Sequence, residues 1–356
     1  MRVRALTCFA REPRAWGRSG VAEVIRECVE ILDRASSTLS EHGYVAWTLR
    51  ISLPLPPRGR LSTVVDAAGD ALPKGVMLSA GGALLKGVGA GAVAEAASAG
   101  IYVPLLGLDE GVPTLAGVAA KAIHRAAEES PVNAARVAVL AGREPLETPY
   151  YPLSTSSGVP GLGLSYLYVD LMQELLSGGL SPAGLAGMLS APASLLAKAG
   201  FRVTADYSLS PWMEDSVAAL IKKFFGTLPP ALGVNYAVAE LNRAIQAVMR
   251  QANTPPSGFN EVMLPYAEDS TLKELGRLGR LSVKDLLTYS ASCVAGPDMA
   301  VVPWDVESLT ALIKDAYAIH VAKRKALGVR VVPVTEDAGA TVDLGMFGEV
   351  PVIRYM

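Results

Sequence analysis

Acids and a cysteine stand in loops beside predicted strands, and these side chains could carry out chemistry. Cys293 precedes its predicted strand, and this topology would place it on the face opposite the loops that follow the other strands. Asp206 ends one predicted strand, Asp215 follows it in "TADYSLSPWMEDSVAAL", and Cys293 and Asp298 lie together in "SASCVAGPDMAVVP". Ligand sites of parallel sheets gather beyond the carboxyl ends of the strands, and carboxylates placed there can transfer protons. We therefore predict four catalytic candidates: Cys293, Asp298, Asp206 and Asp215.

Other polar groups near strand ends are predicted to bind a substrate. Ser208 and Ser216 accompany the acids, and Arg50 stands at the end of another predicted strand, where its guanidinium could clamp an anion. Gly81 and Gly82 directly follow a strand, at a helix N-terminus that offers backbone N–H groups to an anion. The alternatives are structural, namely helix capping by the polar side chains and close packing of strand against helix at the glycines.

Two further acids predict a metal site. Glu268 and Asp269 come at the end of a predicted strand in "SGFNEVMLPYAED" (257–269). Because carboxylate oxygens are ligands for Mg²⁺, a divalent metal such as Mg is the cofactor that the sequence suggests. None of the three histidines lies near a cysteine or carboxylate at metal-ligand spacing, which leaves little material for a zinc or Ser/His/Asp hydrolase.

The role of Cys293 stays open on the residues alone. A thiol becomes nucleophilic when a cation, a histidine or a helix N-terminus lowers its pKa, and none of these is nearby in the sequence. A small buried side chain at a turn is the alternative. The chain has 3 cysteines, with no CxxC pair and no even framework. This pattern argues against a disulfide scaffold and indicates a reducing, cytoplasmic compartment.

The elements that must position these groups alternate along nearly the whole chain. The 356 residues are 51% hydrophobic, and near-continuous apolar strands alternate with amphipathic helices. Such strands are buried on both faces, so we predict an α/β fold with a mainly parallel sheet of about ten strands and helices outside. No linker divides the sequence, and we expect a single domain over residues 1–356.

Charge and hydropathy exclude two classes of partner. The net charge of −2 is spread along the chain without a basic stripe, so we expect no nucleic-acid partner. No uncharged apolar run reaches the roughly 18 residues that a spanning helix requires, so we expect no membrane partner. The expected partner is a small-molecule ligand, and a homo-oligomer stays open.

Several segments together resemble the DUF711 (UPF0210) family of uncharacterised bacterial and archaeal proteins. "DYSLSPWMEDSVA" resembles the family's Asp-x-Ser-Leu-x-Pro segment with its following Ser-Val pair. "GFNEVMLPYAEDS" resembles its Met-Leu-Pro and Glu-Asp stretch, and "CVAGPDMAVVP" its Cys-x-x-Gly-x-Asp-Met motif. "VAWTLRIS" and "AGGALLKG" are similar to family segments more weakly, so the similarity touches most of the chain.

The resemblance implies a fold similar to the glycyl-radical enzymes such as pyruvate formate-lyase, with about ten strands forming a barrel around a central loop. In that fold the active cysteine lies on the internal loop, which would give Cys293 a role. The tail "GMFGEVPVIRYM" lacks the Arg-Val-x-Gly-Tyr context of the radical glycine. We therefore expect no glycyl radical.

Two family histidines are replaced in this chain. Ser156 stands where the family carries one of them, which makes it a substrate-binding candidate, and Leu232 stands at the other. The retained cysteine and acids favour an enzyme of unknown class that acts on a small polar or anionic metabolite. The replaced histidines favour the alternative, a non-catalytic ligand-binding or regulatory protein that keeps the barrel.

Overall fold

The computed structural model describes residues 2–142, 145–293 and 296–356, and strands and helices alternate along them. The strands are β1 (Arg2–Phe9), β2 (Ala46–Ser52), β3 (Val76–Ser79), β4 (Ala83–Leu84), β5 (Val103–Leu106), β6 (Val137–Ala141), β7 (Gly161–Leu167), β8 (Val203–Asp206), β9 (Asp298–Pro303), β10 (Leu327–Val334), β11 (Thr341–Asp343) and β12 (Glu349–Pro351).

The helices cover the sheets. They are α1 (Arg18–Ser40), α2 (Leu61–Ala71), α3 (Ala90–Ser98), α4 (Val112–Ala127), α5 (Pro131–Ala134), α6 (Val169–Leu176), α7 (Pro182–Lys198), α8 (Val217–Phe225), α9 (Val234–Met249), α10 (Ser270–Arg277), α11 (Val283–Tyr289) and α12 (Val306–Lys323). Short 3₁₀ helices span Leu108–Glu110, Tyr266–Glu268 and Gly345–Phe347. In the ranges that the structure describes, none of these helices has the length and apolar character needed to cross a bilayer.

Ten of the strands form two sheets of five with matching architecture. The first has the order β3-β2-β1-β7-β8 and the second β4-β5-β6-β10-β9. Each sheet combines three parallel strands with two parallel strands, and the two groups meet in one antiparallel pair, β1 with β7 and β6 with β10. The mainly parallel α/β architecture predicted from the apolar strands is confirmed.

The two sheets face each other, and closure into a barrel is not shown. One bridge, between Ser79 at the end of β3 and Tyr102 directly before β5, connects the sheets along one edge. Among the described residues no ladder joins β8 to β9 at the other edge. The predicted strand across 257–269 is wrong, because Pro265 and the left-handed Asn260 (φ 59°) interrupt it. Isolated bridges from Val262 to Leu209 and from Asp269 to Met213 take its place.

Helix α1 packs on β1 because its apolar residues recur at helical spacing. Val21, Val24, Ile25, Cys28 and Leu32 are all buried on one face of the helix. Packing of an amphipathic helix against a strand in this way is the main source of helix stability in a folded chain.

This packing also joins two cysteines, which corrects the expectation of no disulfide. Cys8 of β1 and Cys28 of α1 form a disulfide with Cα atoms 5.7 Å apart. Their separation of 20 residues carries no sequence signature, since the pair forms only when the helix docks on the strand.

We predict that the unreduced protein unfolded in guanidinium exposes one reactive thiol, and that prior reduction raises the number to three. Thiol titration with a chromogenic disulfide reagent measures both values. Double replacement of Cys8 and Cys28 by serine should lower the free energy of unfolding by about 3 kcal/mol, the chain-entropy value for a loop of this length. Three reactive thiols without reductant would contradict the pairing.

Candidate functional site

A cavity of about 320 Å³ lies between the two sheets. Strands β1, β2 and β3 form one wall, and β6, β9 and β10 contribute to the other. The loops around Tyr150, Trp212 and Phe347 complete the lining. Its volume is at the lower end of the range for small-molecule sites, so the space fits a small ligand.

Three arginines from apolar strands reach this cavity. Arg4 comes from β1, Arg50 from β2 and Arg330 from β10. Arg4 and Arg50 are each 6% exposed, and the side chain of Arg330 is 11% exposed. Charged side chains are almost never buried to this degree without a partner, so the charges around them decide what the cavity can bind.

Irregular strand register accompanies two of the charged groups. Arg4 is the extra residue of β1, since Val3 pairs with Tyr166 and Ala5 with the adjacent Ser165. In β9 the register with β10 shifts directly after Asp298, next to Met299, whose φ is +53°. Bulges re-aim side chains and are common beside functional sites, which accounts for charged groups in strands that are otherwise apolar.

Glu268 binds arginines from both sheets. Arg4 Nη2 donates to Glu268 Oε2, and Arg330 Nη2 donates to Glu268 Oε1 at 2.8 Å. Burial alone raises the pKa of Glu268, but the charges of Arg4 and Arg330 outweigh it and hold the pKa below its ordinary value. Glu268 is therefore an ionised link between β1 and β10.

Asp298 is bound by the remaining donors of Arg330. Arg330 donates from Nε to Asp298 Oδ1 at 2.5 Å and from Nη2 to Oδ2 at 3.0 Å. Burial raises the pKa of Asp298, and the charge of Arg330 offsets only part of this effect. Of the two carboxylates that line the cavity, Asp298 is thus the one more easily protonated.

Arg50 differs from the other two arginines because it has no carboxylate partner among the described residues. Its Nε donates to Thr48 Oγ1 at 2.9 Å and its Nη1 to the carbonyl of Pro149 at 2.8 Å. The guanidinium lies over the ring of Tyr151, 5.1 Å from its centroid. Burial and the positive charge of Arg4 lower the pKa of Arg50 to about 10, so it stays charged at neutral pH.

Aromatic rings surround these charges. Trp47 and Trp212 pack edge to face with ring centroids 4.5 Å apart, and Tyr102 and Tyr151 have centroids 4.9 Å apart. The guanidinium of Arg4 lies 5.7 Å from the ring of Trp212. Rings of this kind hold a guanidinium through cation–π attraction without neutralising it.

The structure gives Asp206 a structural environment outside the cavity lining. Its carboxylate accepts hydrogen bonds from the backbone N–H groups of Ser208, Phe259 and Asn260 at 2.8 to 3.1 Å, and from the hydroxyls of Ser208 and Thr148. Burial raises the pKa of Asp206, and the hydrogen bonds counteract that effect. Asp206 and Ser208 therefore hold three loops together.

Asp269 and Ser216 cap helices. Asp269 accepts from the N–H groups of Thr271 and Leu272 at the start of α10, and from Ser216 Oγ at 2.6 Å. Ser216 Oγ accepts from the N–H of Ala219 at the start of α8. The structural alternative recognised in the sequence thus describes these two residues, whereas Asp215 is exposed in the turn before α8.

The two acids of the predicted metal site, Glu268 and Asp269, bind different partners. Glu268 is engaged by two arginines and Asp269 by two helix N-termini. Within the described ranges, no cluster of three or more His, Cys, Asp or Glu side chains is arranged to hold a metal ion. The Mg²⁺ site at Glu268 and Asp269 stays a prediction.

Gly81, Gly82 and Ser156 lie where chain segments pack closely. A Cβ on Gly81 would lie 2.1 Å from the carbonyl oxygen of Pro54, and one on Gly82 would lie 2.5 Å from Leu106 Cδ1. Ser156 is buried, and its hydroxyl donates to the carbonyl of Ala10 at 2.6 Å. None of the three lines the cavity in the part of the chain that the structure describes.

Cys293 is fully buried in the main hydrophobic cluster, and it is absent from the described lining of the cavity. Its carbonyl accepts a hydrogen bond from Lys323 Nζ at 2.7 Å. Val294 and Ala295 of the same motif lie outside the described residues. Leu232, at the second replaced histidine, is 98% exposed.

Of the residues named from the sequence, Arg50, Glu268 and Asp298 line the cavity, whereas Arg4, Arg330 and the aromatic wall were not named. A signal was present, since "VRAL" and "GVRVV" each place one arginine inside an apolar strand. An isolated charge in a strand buried on both faces needs a partner. Which face it occupies depends on the register shifts, which the sequence does not display.

We predict that Asp206→Asn lowers the free energy of unfolding by about 1–3 kcal/mol, because the new amide group meets N–H donors and leaves some of them unsatisfied. Chemical denaturation measures the change. Asp215→Asn is the matched control, an exposed acid that should change stability by less than about 0.5 kcal/mol. Equal effects of the two substitutions would contradict the structural role of Asp206.

Comparison with known proteins finds similarity in the C-terminal half. Residues 186–345 match the family model described as "Uncharacterised ACR (DUF711)". A UPF0210 protein of Methanosarcina barkeri is 33% identical over 154 residues, which cover 42% of this chain and 34% of the relative. One from Pyrobaculum islandicum is 35% identical over 148 residues (40% and 33%), and one from Ligilactobacillus salivarius is 31% identical over 154 residues (42% and 34%).

The matches thus span about a third of the length of these relatives. The matched residues include Glu268, Asp298 and Arg330, whereas Arg4 and Arg50 precede them. Over residues 186–345, this chain is similar to the uncharacterised UPF0210 proteins of archaea and bacteria.

Proposed function

We propose that this chain is a divergent UPF0210 protein whose cavity binds a small organic anion. Its two facing sheets, with five strands each, support a fold similar to the glycyl-radical enzymes, as the sequence resemblance implies.

The observation that carries the proposal is the buried, unpaired guanidinium of Arg50. Removing a charge from water costs several kcal/mol unless an opposite charge and hydrogen bonds compensate it. Arg4 and Arg330 share Glu268 and Asp298, so their charges are balanced. Arg50 adds one positive charge to the cavity, and a bound carboxylate would supply the missing partner through the geometry that arginine prefers.

A second candidate function, catalysis on the bound anion, is favoured by Asp298. This carboxylate lines the same cavity and has a raised pKa, and both properties suit a proton-transferring group. Asp206, Asp215 and Cys293 are not needed for this role. Conversion of the bound anion, followed by NMR, would separate an enzyme from a binding protein.

We predict a large stability difference between two arginine substitutions. Arg50→Met should leave the free energy of unfolding of the ligand-free protein within about 1 kcal/mol of the original value, because relief of desolvation offsets the lost hydrogen bonds. Arg4→Met should lower it by about 3–5 kcal/mol, since Glu268 loses one of its two charged partners. Denaturant titration measures both changes, and similar losses would contradict the unpaired state of Arg50.

We also predict that organic anions stabilise the protein through Arg50. Acetate and benzoate are titrated against chloride at constant ionic strength, with thermal unfolding as the readout. A ligand at 100 times its Kd adds about 2.7 kcal/mol to stability, and Arg50→Met should abolish this gain. Arg125→Met, on the exposed surface of α4, is the control that should retain it. If no organic anion stabilises the original protein, the proposed function fails.

A further inference from the structure

The cavity walls are rich in aromatic side chains, which bears on the shape of the ligand as well as on its charge. Seven aromatic residues line the cavity, although the chain has only 4 Trp, 12 Tyr and 6 Phe among its 356 residues. Trp47 and Trp212 are only partly buried, and both line the cavity. Aromatic rings are fixed by two torsion angles and present broad flat faces and edges, which suits another flat ring.

The charges of the cavity limit the ligand to one negative charge. Within the described part of the lining, three buried arginines, Arg4, Arg50 and Arg330, face two carboxylates, Glu268 and Asp298. The excess is one positive charge. Arg136, the fourth arginine of the lining, is only half-buried, and its Nη1 donates to the carbonyl of Ala97 and to Asn133. Its charge is thus partly solvated and does not require a ligand.

A second buried group next to Arg50 lacks a hydrogen-bond partner. Arg4 Nε has no acceptor among the described residues, although the side chain is only 8% exposed and lines the cavity. The other nitrogens of Arg4 are used, Nη1 by Ser210 and the carbonyl of Pro211 and Nη2 by Glu268. Because buried N–H groups are nearly always paired, this N–H has room for an acceptor beyond those that the described residues provide.

We propose that the ligand is an aromatic monocarboxylate, a conclusion that rests on the proposed binding of an anion at Arg50. The carboxylate accepts hydrogen bonds from Arg50 and from Arg4 Nε. The ring packs against the aromatic wall that includes Trp47, Trp212 and Tyr102. The ligand neutralises the excess charge and gives the orphaned N–H its acceptor.

Binding of matched ligands to the unmodified protein tests the proposal by isothermal titration calorimetry. Comparison of benzoate with cyclohexanecarboxylate tests the need for a flat ring. Comparison with phthalate tests whether a second negative charge is tolerated, and comparison with benzyl alcohol tests the need for the carboxylate. We expect benzoate to bind about tenfold more tightly than cyclohexanecarboxylate, the combined effect of two aromatic contacts. Phthalate and benzyl alcohol should bind at least tenfold more weakly than benzoate.

Two tryptophan variants test whether the aromatic wall of the cavity causes the preference for benzoate over cyclohexanecarboxylate. Trp47→Leu should reduce the benzoate preference over cyclohexanecarboxylate to about twofold, while Trp304→Leu, outside the cavity lining, should leave it unchanged. Circular dichroism establishes whether each variant is folded. If a variant does not fold, the comparison of ligands on the unmodified protein still tests the proposal.

The outcomes distinguish the aromatic monocarboxylate proposal from the more general proposal of anion binding at Arg50. Equal affinity for benzoate and cyclohexanecarboxylate would overturn the proposal that the ligand is aromatic. Tighter binding of phthalate than of benzoate would overturn the proposal that the ligand carries one negative charge. Neither result would contradict anion binding at Arg50. Binding of benzyl alcohol as tight as that of benzoate, or no binding of any carboxylate, would overturn the proposed function as well.

Discussion

Glu268 joins the two halves of this molecule. One of its oxygens accepts from Arg4 on β1 of the first sheet, and the other accepts from Arg330 on β10 of the second. The residue lies in a short 3₁₀ helix that belongs to neither sheet. Since a buried carboxylate needs compensating charges, this side chain keeps the sheets at the separation that leaves a cavity between them. The aromatic wall and Arg50 depend on that separation for the space they face.

The same constraint explains why local irregularities concentrate around the cavity. A regular β1 would alternate its side chains between the helix side and the cavity side. The extra residue at position 4 and the register shift beside Met299 bring charged groups to the cavity from strands that otherwise bury apolar side chains. Backbone conformations of this kind persist only where the surroundings determine them. Here the surroundings are the ion pairs of Glu268 and Asp298.

Much of the fold follows from local sequence patterns, but the site follows only in part. Apolar strands alternating with amphipathic helices are enough to predict a mainly parallel α/β protein, because burial on both faces leaves its pattern in each strand. Acids after strands are ambiguous. Asp206 and Asp269 bind backbone N–H groups, whereas Asp298 faces the cavity, and all three stand next to strand ends or turns. Arg4 and the Cys8–Cys28 disulfide depend on long-range packing that no local pattern records.

The residues that line the cavity come from both the matched and the unmatched parts of the chain. Glu268, Asp298 and Arg330 lie within residues 186–345, so the similarity covers three of the four residues of the balanced ion-pair network, and Arg4 lies outside it. Arg50, with its excess charge, and Trp47, with its aromatic surface, come from β2, outside that segment. Binding energy for a ligand arises from the unbalanced charge and the accessible rings rather than from ion pairs that are already satisfied. In the proposed function, the unpaired charge of Arg50 and the ring of Trp47 therefore come from outside the matched segment, whereas Trp212 of the aromatic wall and most of the ion pairs come from within it.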